Sequence, residues 1–159
     1  MKKASLFFMV LSAFCLFGPV LSGKAFPQED KGKNREEYDM SINVEGLKLK
    51  MSFEGNELVV LMYDTPASRE FVSQLPLTLS FEDYAKAEKI AYLPQKLTAD
   101  GSETPAGDFA YYSPWGNLAI FYKGSGQASG LYIMGEIQSG KTQLADMRRE
   151  FKGTIEVMR

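Results

Sequence analysis

Residues 47–63 read LKLKMSFEGNELVVLMY, and the spacing within this run decides the fold class. Leu47, Leu49, Met51 and Phe53 alternate with Lys48, Lys50 and Ser52, the period of a strand with one buried face. Glu54-Gly55-Asn56 supplies turn chemistry, and the chain returns through Glu57 to Tyr63, apolar on both faces as a central strand would be.

The same period continues on either side. Upstream, Ile42 and Val44 alternate with Ser41, Asn43 and Glu45. Downstream, Leu77, Leu79 and Phe81 alternate with Thr78 and Ser80, and further strands are expected at Lys89–Leu93, Asp108–Tyr112, Asn117–Tyr122, Leu131–Ile137 and Thr154–Met158. Two segments depart from it. Thr65-Pro66 is an N-cap followed by proline at the first helical position, and Ala67, Phe71 and Leu75 recur at helical spacing until Pro76. Leu144, Met147 and Phe151 repeat at i, i+3 and i+7, with Arg148, Arg149 and Lys152 where cations suit a helix C-terminus. Eight or nine strands and two helices predict a mainly β fold, an antiparallel barrel or sandwich with helices at its open ends.

The first 25 residues have the three parts of a secretory signal peptide. Lys2 and Lys3 form the positive n-region, Leu6 to Leu16 the apolar h-region, and Gly23-Lys24-Ala25 offers small residues for cleavage. The alternative, an uncleaved anchor, has to use Ala4 to Leu21, a run at the short edge of the roughly 17–25 residues of a span and broken by Gly18-Pro19. Cys15 does not make a lipobox, because Phe14 stands where a small residue is needed. Residues 26–39, with QEDKGKNREEYD at 28–39, mix charges of both signs and read as a flexible linker. Residues 40–159 form one domain. The expected location is periplasmic or extracellular, with membrane contact only through the leader before cleavage.

Cleavage narrows the chemistry. The chain has no His, and its one Cys lies in the leader, so neither a Ser-His-Asp or Cys-His nucleophile nor the usual zinc site can be built. No metal, cofactor or catalytic residue is expected. With Lys2, Lys3 and Lys24 gone from the 18 basic residues, 15 face 20 acidic ones, a net charge near −5 that argues against nucleic acid. Of the carboxylates, Glu82-Asp83 reads as a solvated turn and Asp108 as the residue opening a strand.

Gly135-Glu136-Ile137-Gln138-Ser139-Gly140-Lys141-Thr142 matches the phosphate-cradling pattern G-x-x-x-x-G-K-[ST]. Only 17 residues follow it, without the strand-end Asp that would hold magnesium, and hairpins rather than β-α-β units precede it. It reads instead as a strand-to-helix turn, with nucleotide binding as a third reading of function.

Several phrases, in order, carry a family resemblance: Leu75-Pro76-Leu77-Thr78-Leu79, Tyr92-Leu93-Pro94, Ala106-Gly107-Asp108, Gly116 to Tyr122, and Met134-Gly135-Glu136-Ile137. From Ser41 to Arg159 the chain resembles the small cyclophilin-like proteins of bacteria and archaea. The resemblance implies a closed eight-stranded antiparallel barrel capped by two short helices. True cyclophilins isomerise X-Pro bonds in a groove on the barrel wall that uses an Arg, a His and a Trp. Lys89 to Pro94 contains no Arg, and Trp115 precedes the Asn117–Tyr122 strand rather than following it, so no catalytic residue is carried over.

What remains is a cluster of aromatic side chains, a residue type enriched where partners dock. Alternation puts Phe109 and Tyr111 on one face and Tyr112 on the other; it also puts Leu118, Ile120 and Tyr122 opposite Phe121. The expected ligand-binding set is Tyr92, Tyr111, Tyr112, Trp115, Phe121, Tyr122 and Met134, taking a peptide segment or small molecule, and the residues at 98–107 are expected to form a mobile rim. The runner-up is a weak peptidyl-prolyl isomerase acting on exported proteins. The oligomeric state is open.

Overall fold

The computed structural model of the protein describes residues 42–98 and 106–159. The expected leader and linker, and the loop residues 99–105, lie outside the described residues. Eight strands are present: β1 (Lys48–Phe53), β2 (Asn56–Met62), β3 (Leu77–Tyr84), β4 (Glu88–Tyr92), β5 (Phe109–Tyr112), β6 (Asn117–Phe121), β7 (Leu131–Ser139) and β8 (Phe151–Val157). Two helices interrupt them, α1 (Pro66–Ser73) and α2 (Lys141–Asp146). The strands close into a barrel in the order β1-β2-β7-β5-β6-β4-β3-β8, with every adjacent pair antiparallel. The mainly β class, the closed eight-stranded barrel and its two short helices are therefore as the resemblance implied.

Alternation builds the core. Leu49, Met51 and Phe53 of β1 point inward, as do Leu58, Val60 and Met62 of β2, and they meet Phe81, Phe109, Tyr111, Leu118, Ile120 and Met134. The β1–β2 hairpin closes through Glu54 and Gly55, both at positive φ, the two-residue turn whose twist matches paired strands. Helix α1 starts as expected: Thr65 Oγ1 accepts the Ser68 amide at 3.1 Å, Pro66 occupies the first position, and Ala67 and Phe71 are buried against the barrel interior.

Two expectations need correction. Residues 42–46 are not a strand: Asn43 Oδ1 accepts the Glu45 amide at 2.7 Å, and the Val44 amide donates to Asp64 Oδ1 at 3.1 Å. These local bonds satisfy the backbone without a neighbouring strand. The second helix stops at Asp146, and Phe151 opens β8 instead of extending that helix; Arg148 and Arg149 lie between the two and Lys152 is in the strand. The reason is tertiary. A six-residue helix has little stability of its own, whereas Phe151 gains contacts with Phe53 and Phe81, at centroid separations of 5.3 and 5.4 Å. β8 also gains a ladder on both edges, to β1 and to β3.

Asp64, just after β2, joins the 42–46 turn to α1. It accepts from the Arg69 guanidinium as well as from the Val44 amide, and these bonds hold its carboxyl down to about 2. The folded value lies below the ordinary one, so the stabilisation is complete above about pH 4 and is lost as pH falls through about 2. Urea midpoints measured against pH should fall in that window for the native chain and fall less steeply for Asp64→Asn; identical slopes would show that the carboxylate contributes nothing.

Candidate ligand-binding cleft

The outward residues of β4, β6, β5 and β7 form a second, smaller apolar surface on the barrel wall. Ala110, Ala119, Phe121 and Ile133 pack together there, with Tyr63 and Leu131 at the margin. The two alanines are register partners, and Ala119 also faces Ile90 across β4, so small side chains make a low floor. Gly126 lets the loop after β6 lie on this surface, since a Cβ there would stand 2.2 Å from the Phe121 ring.

A cleft of about 280 Å³ remains open beside that loop, lined by Tyr84, Glu88, Ile90, Tyr112, Trp115, Asn117, Ala119, Phe121, Leu131 and residues 126–128. Trp115, on the turn between β5 and β6, is 42% exposed. Its ring meets Tyr84 at 5.5 Å and 85°, and Tyr112 at 5.4 Å and 78°. Three aromatic rings therefore form two right-angled corners at the mouth. Tyr84 and Glu88 are register partners at the end of the β3–β4 hairpin, and Ala85 and Lys86 between them both hold positive φ, an uncommon conformation for non-glycine residues.

The cleft's polar groups are few. Burial pushes the Glu88 carboxyl above its usual range, and no neighbouring charge offsets the shift. Asn117 is buried; its amide nitrogen donates to the Leu118 carbonyl at 2.8 Å, while Oδ1 has no donor among the described residues. A larger cleft of about 570 Å³ lies around Lys50, Pro76, Glu156 and Arg159. Its Lys50 and Glu156 neutralise each other at 2.9 Å and no aromatic ring lines it among the described residues, so the smaller cleft is the better recognition surface.

The structure divides the expected site residues. Tyr112, Trp115 and Phe121 come together in the cleft. Tyr111 and Met134 do not reach it: both are fully buried inside the barrel, and the Tyr111 hydroxyl accepts the Leu97 amide at 3.2 Å. Strand parity sends them inward, Tyr111 with Phe109 as alternation required. Tyr92 is on the outer face and 57% exposed but does not line the cleft. Tyr122 turns towards Lys89, away from the cleft. Its hydroxyl donates to Asp83 Oδ1 at 2.7 Å, and burial together with that carboxylate pushes it up to about 12. The fully buried Lys89 lies 4.9 Å from the Tyr122 ring centroid and donates to Asp83 and to the Met147 carbonyl. Burial works against the Asp83 charge, but the Lys89 ammonium and Tyr122 hydroxyl hold its carboxyl below the usual range. Asp83 is thus one end of a structural ion pair rather than part of a solvated turn.

Sequence reasoning missed Tyr84, Glu88 and Asn117. The signal for Tyr84 was available, because its parity is opposite to Leu79 and Phe81 and so directs it outward. Asn117 shares the parity of Phe121 and so its face was legible too, whereas Glu88 enters the site through pairing of β4 with β3 and with β6, which no spacing within one strand reveals.

The residues of the phosphate-loop pattern have other work. Gly140 adopts φ 88°, where an added Cβ would lie 2.1 Å from the Glu57 carbonyl oxygen, and it caps α2 without a side-chain bond. Lys141 Nζ pairs with Asp108 Oδ2 at 2.7 Å, and Asp108 Oδ1 accepts the Ile137 amide at 2.6 Å. Asp108 is thus a clamp between β7 and α2, and the lysine a nucleotide would need is already engaged.

The family model described as the cyclophilin-like family matches residues 51–157, and the chain belongs to that family. The solution structure of the hypothetical protein AF2241 from Archaeoglobus fulgidus shares the fold at a TM-score of 0.57 and 19% identity, covering 74% of this chain and 98% of that one. No curated protein matches the chain. Calorimetric titration with magnesium-ATP at millimolar concentration should give no binding heat and no thermal shift; a saturable isotherm abolished by Lys141→Ala would reverse this assignment.

Proposed function

We propose that this cyclophilin-like barrel is an exported binding module whose outer aromatic cleft holds a peptide segment or small ligand without covalent chemistry. The observation that carries the reading is the right-angled grouping of Tyr84, Tyr112 and Trp115 around an open cleft. Large rings with polar tips are costly to leave in water and are enriched at binding hot spots. The chain has no His, and among the described lining residues the titratable groups are Glu88 and two tyrosine hydroxyls, which do not make a nucleophile with its base. A helix long and apolar enough to cross a membrane is absent among the described residues. Export rests on the leader pattern of residues 1–25, and fractionation with mass analysis of the recovered protein should find it outside the cytoplasm with its N-terminus near residue 26. Recovery of the unprocessed chain from the cytoplasm alone would end that part of the proposal.

Trp115 is the only tryptophan, so its emission reports on the cleft directly. A library of blocked tetrapeptides should contain pools that change this emission saturably. Replacing both Tyr112 and Trp115 by alanine should weaken the same ligands by about tenfold or more, read by calorimetry. Unchanged binding by the double variant would place the site elsewhere, and no binding by any pool would remove the peptide reading.

The second reading, weak prolyl isomerisation, is favoured by the apolar wall beside Trp115, because an X-Pro bond with a barrier of about 18–20 kcal/mol isomerises faster when desolvated and distorted. No guanidinium lines the cleft among the described residues. Proline tetrapeptides followed at high protein concentration should therefore isomerise at the uncatalysed rate, and acceleration lost in the double variant would favour the enzyme.

A further inference from the structure

We infer that the cleft selects a cationic group, an alkylammonium held by the Tyr84, Tyr112 and Trp115 rings with the Glu88 carboxylate as its counter-charge. This deepens the proposed function and rests on it. The face of an aromatic ring carries negative charge that favours a cation over an equally large neutral group, and these three rings, Trp115 in edge contact with both tyrosines, line one cleft.

The charges point the same way. Glu88 lines the cleft beside Tyr84 and Phe121, its register partners, and its carboxylate makes no hydrogen bond or ion pair among the described residues. Its carboxylate is the single full charge among the lining residues. Lys89, the adjacent cation in the chain, has opposite parity and is neutralised by Asp83 on the inner side. Asn117 Oδ1, buried and without a donor among the described residues, adds an oxygen dipole whose negative end they leave uncompensated. A half-buried carboxylate against apolar rings is disfavoured unless a positive partner arrives, and burial has raised the Glu88 carboxyl accordingly. An anionic ligand would meet repulsion here, and a purely apolar one would leave Glu88 further desolvated and unpaired.

The alkylammonium can come from a free small molecule or from a lysine side chain, and paired probes separate the two. Choline and its neutral isostere 3,3-dimethylbutan-1-ol share shape and differ in charge; Nα-acetyl-lysine amide and Nα-acetyl-2-aminoheptanoic acid amide, whose side chain ends in a methyl where lysine carries its ammonium, do the same for a peptide side chain. Following Trp115 emission, at least one cation should bind saturably and at least about tenfold more tightly than its neutral partner. Choline alone responding assigns a small ligand, and the lysine amide responding assigns a peptide source. Glu88→Gln should reduce the cation's affinity by about tenfold while leaving that of the neutral isostere unchanged or tighter, since no carboxylate is then desolvated.

Equal affinity of a cation and its isostere, or failure of all four probes to bind, would overturn the inference. Full retention of cation binding in Glu88→Gln would do so as well. The native protein's charge preference stands as a test even if that variant misfolds. The tetrapeptide pools judge the cleft separately: pools that bind without charge preference leave the aromatic site standing and remove the cation, whereas pools that never bind remove the peptide reading itself.

Discussion

Phe151 lies between Phe53 and Phe81, and the strand it opens is hydrogen-bonded to β1 on one side and β3 on the other. That contact closes the sheet. An open sheet would present two edges of unpaired backbone groups, whereas closure pairs each strand twice and gives each an inner and an outer face. Gly153 fits the same seam, with the Phe81 ring and Met51 packed close over its backbone. Everything else about the molecule, including where its aromatic side chains can go, depends on this division into inside and outside.

The interior takes large apolar groups and few polar ones. Lys89 is the exception, and its ammonium is satisfied by Asp83, the Met147 carbonyl and the face of Tyr122. A buried charge is tolerable only with such partners, and removing one of them would leave the others uncompensated. This cluster accounts for Tyr122, which would otherwise look like a surface aromatic, and it ties the end of α2 to the β3–β4 hairpin.

The outer face of β5 and β6 is arranged differently. Alanines at 110 and 119 leave a low floor, Phe121 and Leu131 form an edge, and the rings of Tyr84, Tyr112 and Trp115 stand at the mouth. A wall meant only to meet water would place polar groups at these positions. Here the polar groups are a carboxylate without a partner and an amide oxygen without a donor among the described residues, beside the only tryptophan of the chain.

How much was legible in the sequence follows from the range of the forces involved. Period-two alternation is local, so it disclosed seven of the strands closely, the shared faces of Leu49, Met51 and Phe53, of Phe109 and Tyr111, and of Leu118 and Ile120, and the capped start of α1 at Thr65-Pro66, but not that the Tyr111 face is the inner one. The departure is also instructive: Leu144, Met147 and Phe151 keep helical spacing, yet aromatic packing and two ladders across the barrel outweigh a six-residue helix. The sequence by itself determined the β class, the parity of each aromatic and the absence of His. Only the tertiary structure decided that Glu88 and Asn117 stand beside Trp115 and that Lys141 is held by Asp108, because register between strands distant in the chain is set by closure of the barrel and not by any local pattern.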